Sequence, residues 1–352
     1  MPEPDDPHAM KPNPGPGLWE TALLHDLTRW REQLARSIAR NNPGLRSREI
    51  AVAVNRILFP LLFIAAAEDR RFLPAGTLAS LRDTGDEREI LARIGRLADG
   101  MYEDIPPESF VSPAQPETPD IEQKIFRAVL AGFSSQGRVY DLSRMPGLSI
   151  GQVLTRYLAQ TVRRSAAHQA EIVDTHDTVL AGSTCIPPDI IVRTAADQAL
   201  DAVRKNRSKR EVLPVRVLDP ACGSGICLVA AYRNLLGNTG GSGLTLEERR
   251  DVLTGSIHGV DVSPHAIAAT RMLLVLELLE NSRPCGNSGE LFDLVLPLLR
   301  DLRQNIVCGN ALIGPEIARD ESWNFCPPHK RQDLNLFVWD DHFTEVDRKS
   351  VV

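Results

Sequence analysis

None of the six cysteines of this 352-residue chain, at positions 185, 222, 227, 285, 308 and 326, stands in a Cys-x-x-Cys pair. That spacing argues against a disulfide framework and suits reduced thiols in a cytosolic protein. Cys326-Pro-Pro-His329 holds two metal-ligating side chains without a second pair, so no metal site is expected. Basic charge is not in excess either. A net charge of -6 leaves no global nucleic-acid surface, and any DNA contact must come from a local patch or from another component. The first seventeen residues carry no charged and apolar leader pattern. Rich in Pro, Gly, Asn and Asp, they are expected to be disordered and give no sign of secretion. The most apolar run, Ile57 to Ala67, is too short to cross a bilayer and is closed by Glu68-Asp69-Arg70-Arg71, so it reads as a buried helix. No acidic cluster joined to a lysine on a strand marks a nuclease.

What remains is a chain with 43% apolar residues, enough for a sizeable core in two modules. In the first, Leu23, Leu27, Trp30, Leu34 and Ile38 recur at helical spacing, and Asn41-Asn-Pro-Gly44 ends that helix. A second helix is predicted from Ser47 to about Arg70, with Pro60 as a kink, and a third between Asp86 and Met101. The Pro-rich stretch 106–119 reads as a loop, and helices resume over 120–130 and from Ile150 to about Gln169. The residues of this helical module show no chemistry of their own.

The second module is organised by Val215-Arg-Val-Leu-Asp219-Pro-Ala-Cys-Gly223-Ser-Gly225. An apolar run ending in an acid reads as a strand, and the Gly-x-Gly turn opens into a helix over 228–236. That order brings backbone N–H groups close to a nucleotide-like ligand. A bare Gly-x-Gly is equally a structural turn, and an acid at a strand end can simply cap the next turn. A helix from Ile190 to Val203 precedes this motif, and the basic cluster Arg204 to Arg210 between them is either a phosphate contact or a solvated surface. After a polar loop over 237–247, Ser256 to Asp261 predicts a second strand and Ser263-Pro264 a helix start. Asn305 to Cys308 predicts a third strand, followed by Gly309-Asn310.

The string Asp219-Pro-Ala-Cys-Gly-Ser-Gly225 resembles the cofactor motif of the adenine-specific DNA methyltransferases, in particular those of combined restriction-modification and phage-defence systems. The resemblance implies an α/β architecture: a helical connector over 18–170, then, over 171–352, the cofactor-binding half of a Rossmann-like domain. The implied cofactor is S-adenosylmethionine, held by Asp219, Pro220, Ala221, Gly223 and Gly225, with Asp219 toward its ammonium. Asp261, within the family-like Gly259-Val-Asp261-x-x-Pro264, is implied for the ribose diol, and Asn310 for the adenine edge. Arg56-Ile-Leu-Phe59 with Glu68-Asp69-Arg70, and Gly151 to Leu158, resemble the family's connector helices. Two departures stand out. Where the family reads Gly-x-Tyr-Tyr-Thr-Pro over the methionine end of the cofactor, Gly182 and Pro187 match but Thr184, Cys185 and Ile186 replace the rest. Cys227 stands where a phenylalanine is usual, which implies looser packing behind the loop.

Phe337 to Val346 resembles the segment before the family's fourth strand, yet no Asn/Asp-Pro-Pro-aromatic tetrad occurs before Val352. Such a tetrad would hold a flipped adenine and orient its amine. The expectation is therefore no catalytic residue in this chain, no methyl transfer by it alone, and no DNA cleavage. Double-stranded DNA is the implied substrate, with a second polypeptide supplying the missing half and relieving an exposed apolar sheet edge. The alternatives are a non-catalytic interaction or regulatory protein that keeps the fold, and another nucleotide-dependent enzyme using the same loop.

Overall fold

In the computed structural model, the apolar stripe of the first helix becomes the inner face of α1 (Leu18–Asn41), with Leu23, Leu27, Trp30, Leu34 and Ile38 all buried. The structure describes residues 17–84, 87–102, 119–165, 169–175, 187–206, 215–239, 243–280, 282, 284–319 and 334–343. The Pro-rich 106–118, the Gly182 to Ile186 segment and Cys326 to His329 lie outside them. The chain divides into two compact units: 1–100, 110–186 and 282–296 form one, and 101–109, 187–281 and 297–352 the other.

The first unit is built on α2 (Ser47–Asp69). Every residue from Ile57 to Glu68 is buried, so this helix is apolar on all sides because it runs through the core. The eleven-residue apolar run proves to be part of a 23-residue helix that is long and apolar enough to cross a membrane by length and composition, but 89% of its apolar window is buried in the fold. Pro60 sits inside it without ending it, at the loss of one backbone hydrogen bond. Helices α3 (Thr77–Thr84), α4 (Glu87–Tyr102), α5 (Gln123–Phe133) and α6 (Gly147–Leu158) follow. Trp30 of α1 packs on Phe133 of α5 with ring centroids 4.1 Å apart.

The helix expected to run to Gln169 stops at Leu158. Beyond it, β1 (Gln160–Arg164) and β2 (Ala170–Asp174) form an antiparallel hairpin. The β-branched residues Thr161, Val162, Ile172 and Val173 favour this conformation. Arg164 fastens the hairpin to the end of α1, donating to the carbonyls of Ala39 at 2.9 Å and Leu45 at 2.6 Å. A guanidinium there complements the negative end of a helix dipole.

Glu68-Asp69-Arg70 acts as a triple tie within this unit. Glu68 accepts from the backbone N–H groups of Gly76 and Leu78, Asp69 pairs with Arg138, and Arg70 donates to the carbonyl of Met145.

The second unit holds the sheet. Helix α7 (Asp189–Asn206) leads to β3 (Val217–Asp219), α8 (Ile226–Thr239), α9 (Leu246–Ser256), β4 (Ile257–Asp261), α10 (Pro264–Leu278), α11 (Ser288–Asp301, which crosses the division between units), β5 (Ile306–Cys308) and the short α12 (Trp339–His342). The three strands are parallel in the order β3-β4-β5, with Leu218 opposite His258 and Val260 opposite Val307. The polar stretch read as a loop contains the start of α9. Its Thr245 and Glu248 form a reciprocal capping box, which outweighs the local Gly/Ser composition.

Alternation along the strands gives the sheet two faces. Val260 and Val307 lie on one, where Phe337 and Phe343 cover them and Leu218 packs alongside. His258 shares that face and meets Phe343 edge-on at 5.6 Å. Burial holds its imidazole below the ordinary value of 6.5, so the folded chain binds the proton less readily than the unfolded one. Stability from this site is present above that value and is lost as pH falls from it toward the depressed folded pKa. Between pH 7.5 and pH 5.5 the urea midpoint of wild type should therefore fall more than that of His258→Gln. Equal falls would contradict the assignment.

Candidate functional site

The carboxyl ends of β3, β4 and β5 carry the acid, glycine and asparagine residues singled out in the sequence. Asp219 ends β3, and the chain turns through Pro220-Ala-Cys-Gly-Ser-Gly225 into α8. The turn needs left-handed backbone at two points, φ +56° at Gly223 and +86° at Gly225, a region side chains disfavour. A methyl group built on Gly223 would meet nothing within 4 Å, so open space lies beside the loop there. On Gly225 it would stand 2.8 Å from the Thr270 side chain.

Asp261 ends β4, and both its carboxylate oxygens accept backbone N–H groups: Oδ2 from Gly223 at 2.8 Å and Oδ1 from Ser263 at 2.8 Å. One carboxylate thus fixes the glycine loop of the first strand and the helix entry of the second. The carbonyl of Gly223 accepts from Thr270 Oγ1 at 2.9 Å, and the N–H of Cys222 donates to the carbonyl of Val260 at 2.9 Å. The loop is therefore held by β4 and α10 rather than by its own turn alone.

Asp219 accepts from the N–H of Ala221 at 3.1 Å, the capping arrangement. Burial pushes its carboxyl pKa above the usual range, with that single backbone bond opposing. Cys222 is buried, and its thiol is pushed well up by burial first and then by the charges of Asp261 and Asp219, which makes it a poor nucleophile. Cys227 is exposed at the start of α8. Loosened packing behind the loop does not follow from it, because the core positions there are Ile226, Leu228 and Val229.

Asn310 lies just beyond β5, joined to Asp261 through Gly309, whose N–H donates to the Asp261 carbonyl at 2.9 Å. Its own Oδ1 accepts from the N–H of Leu312 at 3.1 Å, an ordinary turn use of asparagine. Pro187 lies two residues before α7, where the carbonyl of the next residue, Pro188, accepts from Ile191 and Val192. Six of the eight sequence-chosen residues, Asp219 to Ala221, Gly223, Gly225 and Asp261, lie on one loop and on the strand end tied to it through the Gly223–Asp261 bond. Asn310 borders them, and Pro187 belongs to the entry of another helix. Among the described residues no group of three or more His, Cys, Asp or Glu could hold a metal ion. Of the basic cluster, Arg204 is engaged with Asp201 and Asn234, and 207–210 lie outside the described residues.

Thr270 and Ser263 were not among the residues chosen from sequence. In the sequence Thr270 and Arg271 together interrupt the apolar residues Ile267 to Ala269 and Met272 to Leu276 of α10, and nothing in that pattern points to a partner for either; the structure buries both.

Residues 195–335, which span this loop and strand end, match the DNA-methyltransferase domain of the MmeI family. This chain is related to the restriction-modification DNA methyltransferases. It is 20% identical over 324 residues to the type II restriction enzyme and methyltransferase RM.Eco57I of Escherichia coli, covering 87% of this chain and 32% of that protein. A putative type II restriction enzyme and methyltransferase of Methanocaldococcus jannaschii, RM.MjaORFECS2P, is 31% identical over 112 residues, which are 30% of this chain and 9% of that one. The adenine-specific methyltransferase PglX of Streptomyces coelicolor is 29% identical over 91 residues, 25% of this chain and 7% of its own length. The chain thus matches a third or less of each of these curated relatives.

Proposed function

We propose that the second unit is the S-adenosylmethionine-binding half of a Rossmann-like, adenine-specific DNA methyltransferase domain, with the helical unit as its connector and double-stranded DNA as the substrate of the complete enzyme. The observation that carries this reading is the Asp261 carboxylate bound to the Gly223 N–H, beside a left-handed loop with open space at Gly223. A carboxylate at the end of the second strand, tied to a glycine turn after the first, suits a ribose diol and a close backbone approach. Gly223 and Gly225 would face the carboxylate and ribose side of the cofactor. Asp219, an acid whose ionisation burial opposes, would be relieved by an ammonium. Asn310 and Pro187 would border the adenine and methionine ends. The bound cofactor supplies an electrophilic methyl group for the exocyclic amine of adenine, and the residues named here bind and orient rather than react. Adenine as the target rests on the resemblance of the motif and on the relative described as adenine-specific.

Calorimetric titration with S-adenosylmethionine tests the proposal. Saturable binding is expected in wild type and, in Asp261→Ala, a loss of about tenfold to a hundredfold, since hydrogen bonds to a charged group contribute roughly 1.5–3 kcal/mol each. Circular dichroism monitors folding of both. A folded wild-type protein that evolves no heat would overturn the cofactor assignment and favour a non-catalytic interaction protein. Binding of NAD in place of S-adenosylmethionine would move the site to dinucleotide chemistry.

A further inference from the structure

We propose that Thr270 is a positioning residue for the cofactor loop, the second half of a clasp that holds the Gly223 residue by both its polar backbone groups. This rests on the reading of the loop as an S-adenosylmethionine site. Gly223 donates its N–H to Asp261 Oδ2 at 2.8 Å, and its carbonyl accepts from Thr270 Oγ1 at 2.9 Å. The two holding groups come from successive elements, the end of β4 and the interior of α10. They fix the orientation of a residue that lies beside open space on the side a ligand would approach. With one group alone, the residue could rotate about the remaining bond.

The surroundings of Thr270 make the hydroxyl itself informative. The residue is completely buried in α10, among the buried apolar residues Ala268, Ala269, Met272 and Leu273 and next to a second buried polar side chain, Arg271. A hydroxyl in such a place costs free energy unless it is hydrogen-bonded. Here its donated bond goes to the Gly223 carbonyl, and its oxygen also lies 3.9 Å from Cys222 Sγ. The side chain has a second use. Its Cγ2 and Oγ1 stand 2.8 and 2.9 Å from where a Cβ of Gly225 would be, so it also fills the space beneath the second glycine. Donor and filler are combined in one β-branched residue, whose rotamer in a helix is restricted.

Thr270→Val keeps the volume and removes the donor, whereas Thr270→Ser keeps the donor and removes the methyl. Positioning predicts that Thr270→Val raises the Kd for S-adenosylmethionine about tenfold, the effect of roughly one hydrogen bond, while Thr270→Ser stays within about threefold. In the ligand-free protein, amide hydrogen exchange should rise about tenfold in peptides covering 221–226 for Thr270→Val, return toward wild type in Thr270→Ser, and stay unchanged in β4 and α10. A purely structural role would instead move exchange across the whole unit, with no rescue by serine. If Thr270→Val does not fold, Thr270→Ala removes the hydroxyl without added volume and is read the same way. Wild-type affinity and loop exchange in a folded hydroxyl-free variant overturn the proposal even if the Asp261 variant loses binding. Absence of binding in wild type removes the cofactor reading instead, and the exchange comparison then still decides whether Thr270 holds the loop.

Discussion

Asp69→Ala is expected to destabilise the first unit by about 3–5 kcal/mol, the range for breaking a buried ion pair by removing one partner. The side chains of Arg138 and Asp69 are 1% and 9% exposed. Arg138 Nη2 donates to Asp69 Oδ1 at 2.6 Å, its Nη1 donates to Oδ2, and the N–H of Leu142 also donates to Oδ2 at 2.7 Å. Without Asp69, a buried guanidinium loses its carboxylate while keeping its bonds to the carbonyls of Phe133 and Tyr140, and the Leu142 N–H loses the Asp69 acceptor. The urea midpoint of the unit's unfolding transition reads the effect. The companion variant Asp69→Ala with Arg138→Met should recover much of the loss, because the stranded charge causes most of it and an apolar replacement of a buried pair is often close to neutral. A single variant that loses less than about 1 kcal/mol, the value typical of an exposed pair, would mean that water reaches this bridge. The sequence resemblance marked Glu68-Asp69-Arg70 as part of a connector; in the structure these three consecutive side chains tie α2 to the segments that follow it within the first unit.

The elements legible in the sequence are those where one signal dominated. The stripe from Leu23 to Ile38 had no competing period, and the strand that ends in Asp219 runs straight into a glycine turn. Elements that depend on distant partners were not legible. The hairpin at Gln160 to Asp174 has strands of five residues with mixed polarity, and much of what fixes it is Arg164 reaching the far end of α1. Helix α9 was missed for a different, local reason: its Thr245-x-x-Glu248 capping box is a sequence signal, but it is embedded in a Gly/Ser-rich stretch whose composition argued for a loop. The site divides in the same way. The two acids and the two glycines were visible because residue type and position agree, and the structure gives the acids backbone partners as well. Thr270 was hidden because its role depends on a loop 45 to 47 residues earlier in the chain, which periodicity along a helix cannot reveal.

The two glycines of the loop should respond differently to the same added methyl group. In Gly223→Ala the methyl enters open space at φ +56°, inside the left-handed region that other residues occasionally occupy, so the stability cost should be only about 1–2 kcal/mol. In Gly225→Ala the backbone lies at φ +86° and the methyl meets Thr270 at 2.8 Å. Thr270 has little room to yield, since it is fully buried and its hydroxyl is committed to Gly223. Overpacking of about 1–3 kcal/mol then adds to the conformational term of about 1–2 kcal/mol, for a total of roughly 2–5 kcal/mol. Binding of S-adenosylmethionine should be lost in both, for different reasons. At Gly223 the methyl fills the space through which a ligand approaches the backbone, and at Gly225 the loop itself is displaced. Thermal melts and cofactor titrations of the two variants separate these effects. If Gly223→Ala binds the cofactor as wild type does, the space beside that residue is not the approach route and the cofactor assignment must move elsewhere. If Gly225→Ala proves no less stable than Gly223→Ala, Thr270 is not pressed beneath the loop and the clasp is looser than its hydrogen bonds imply.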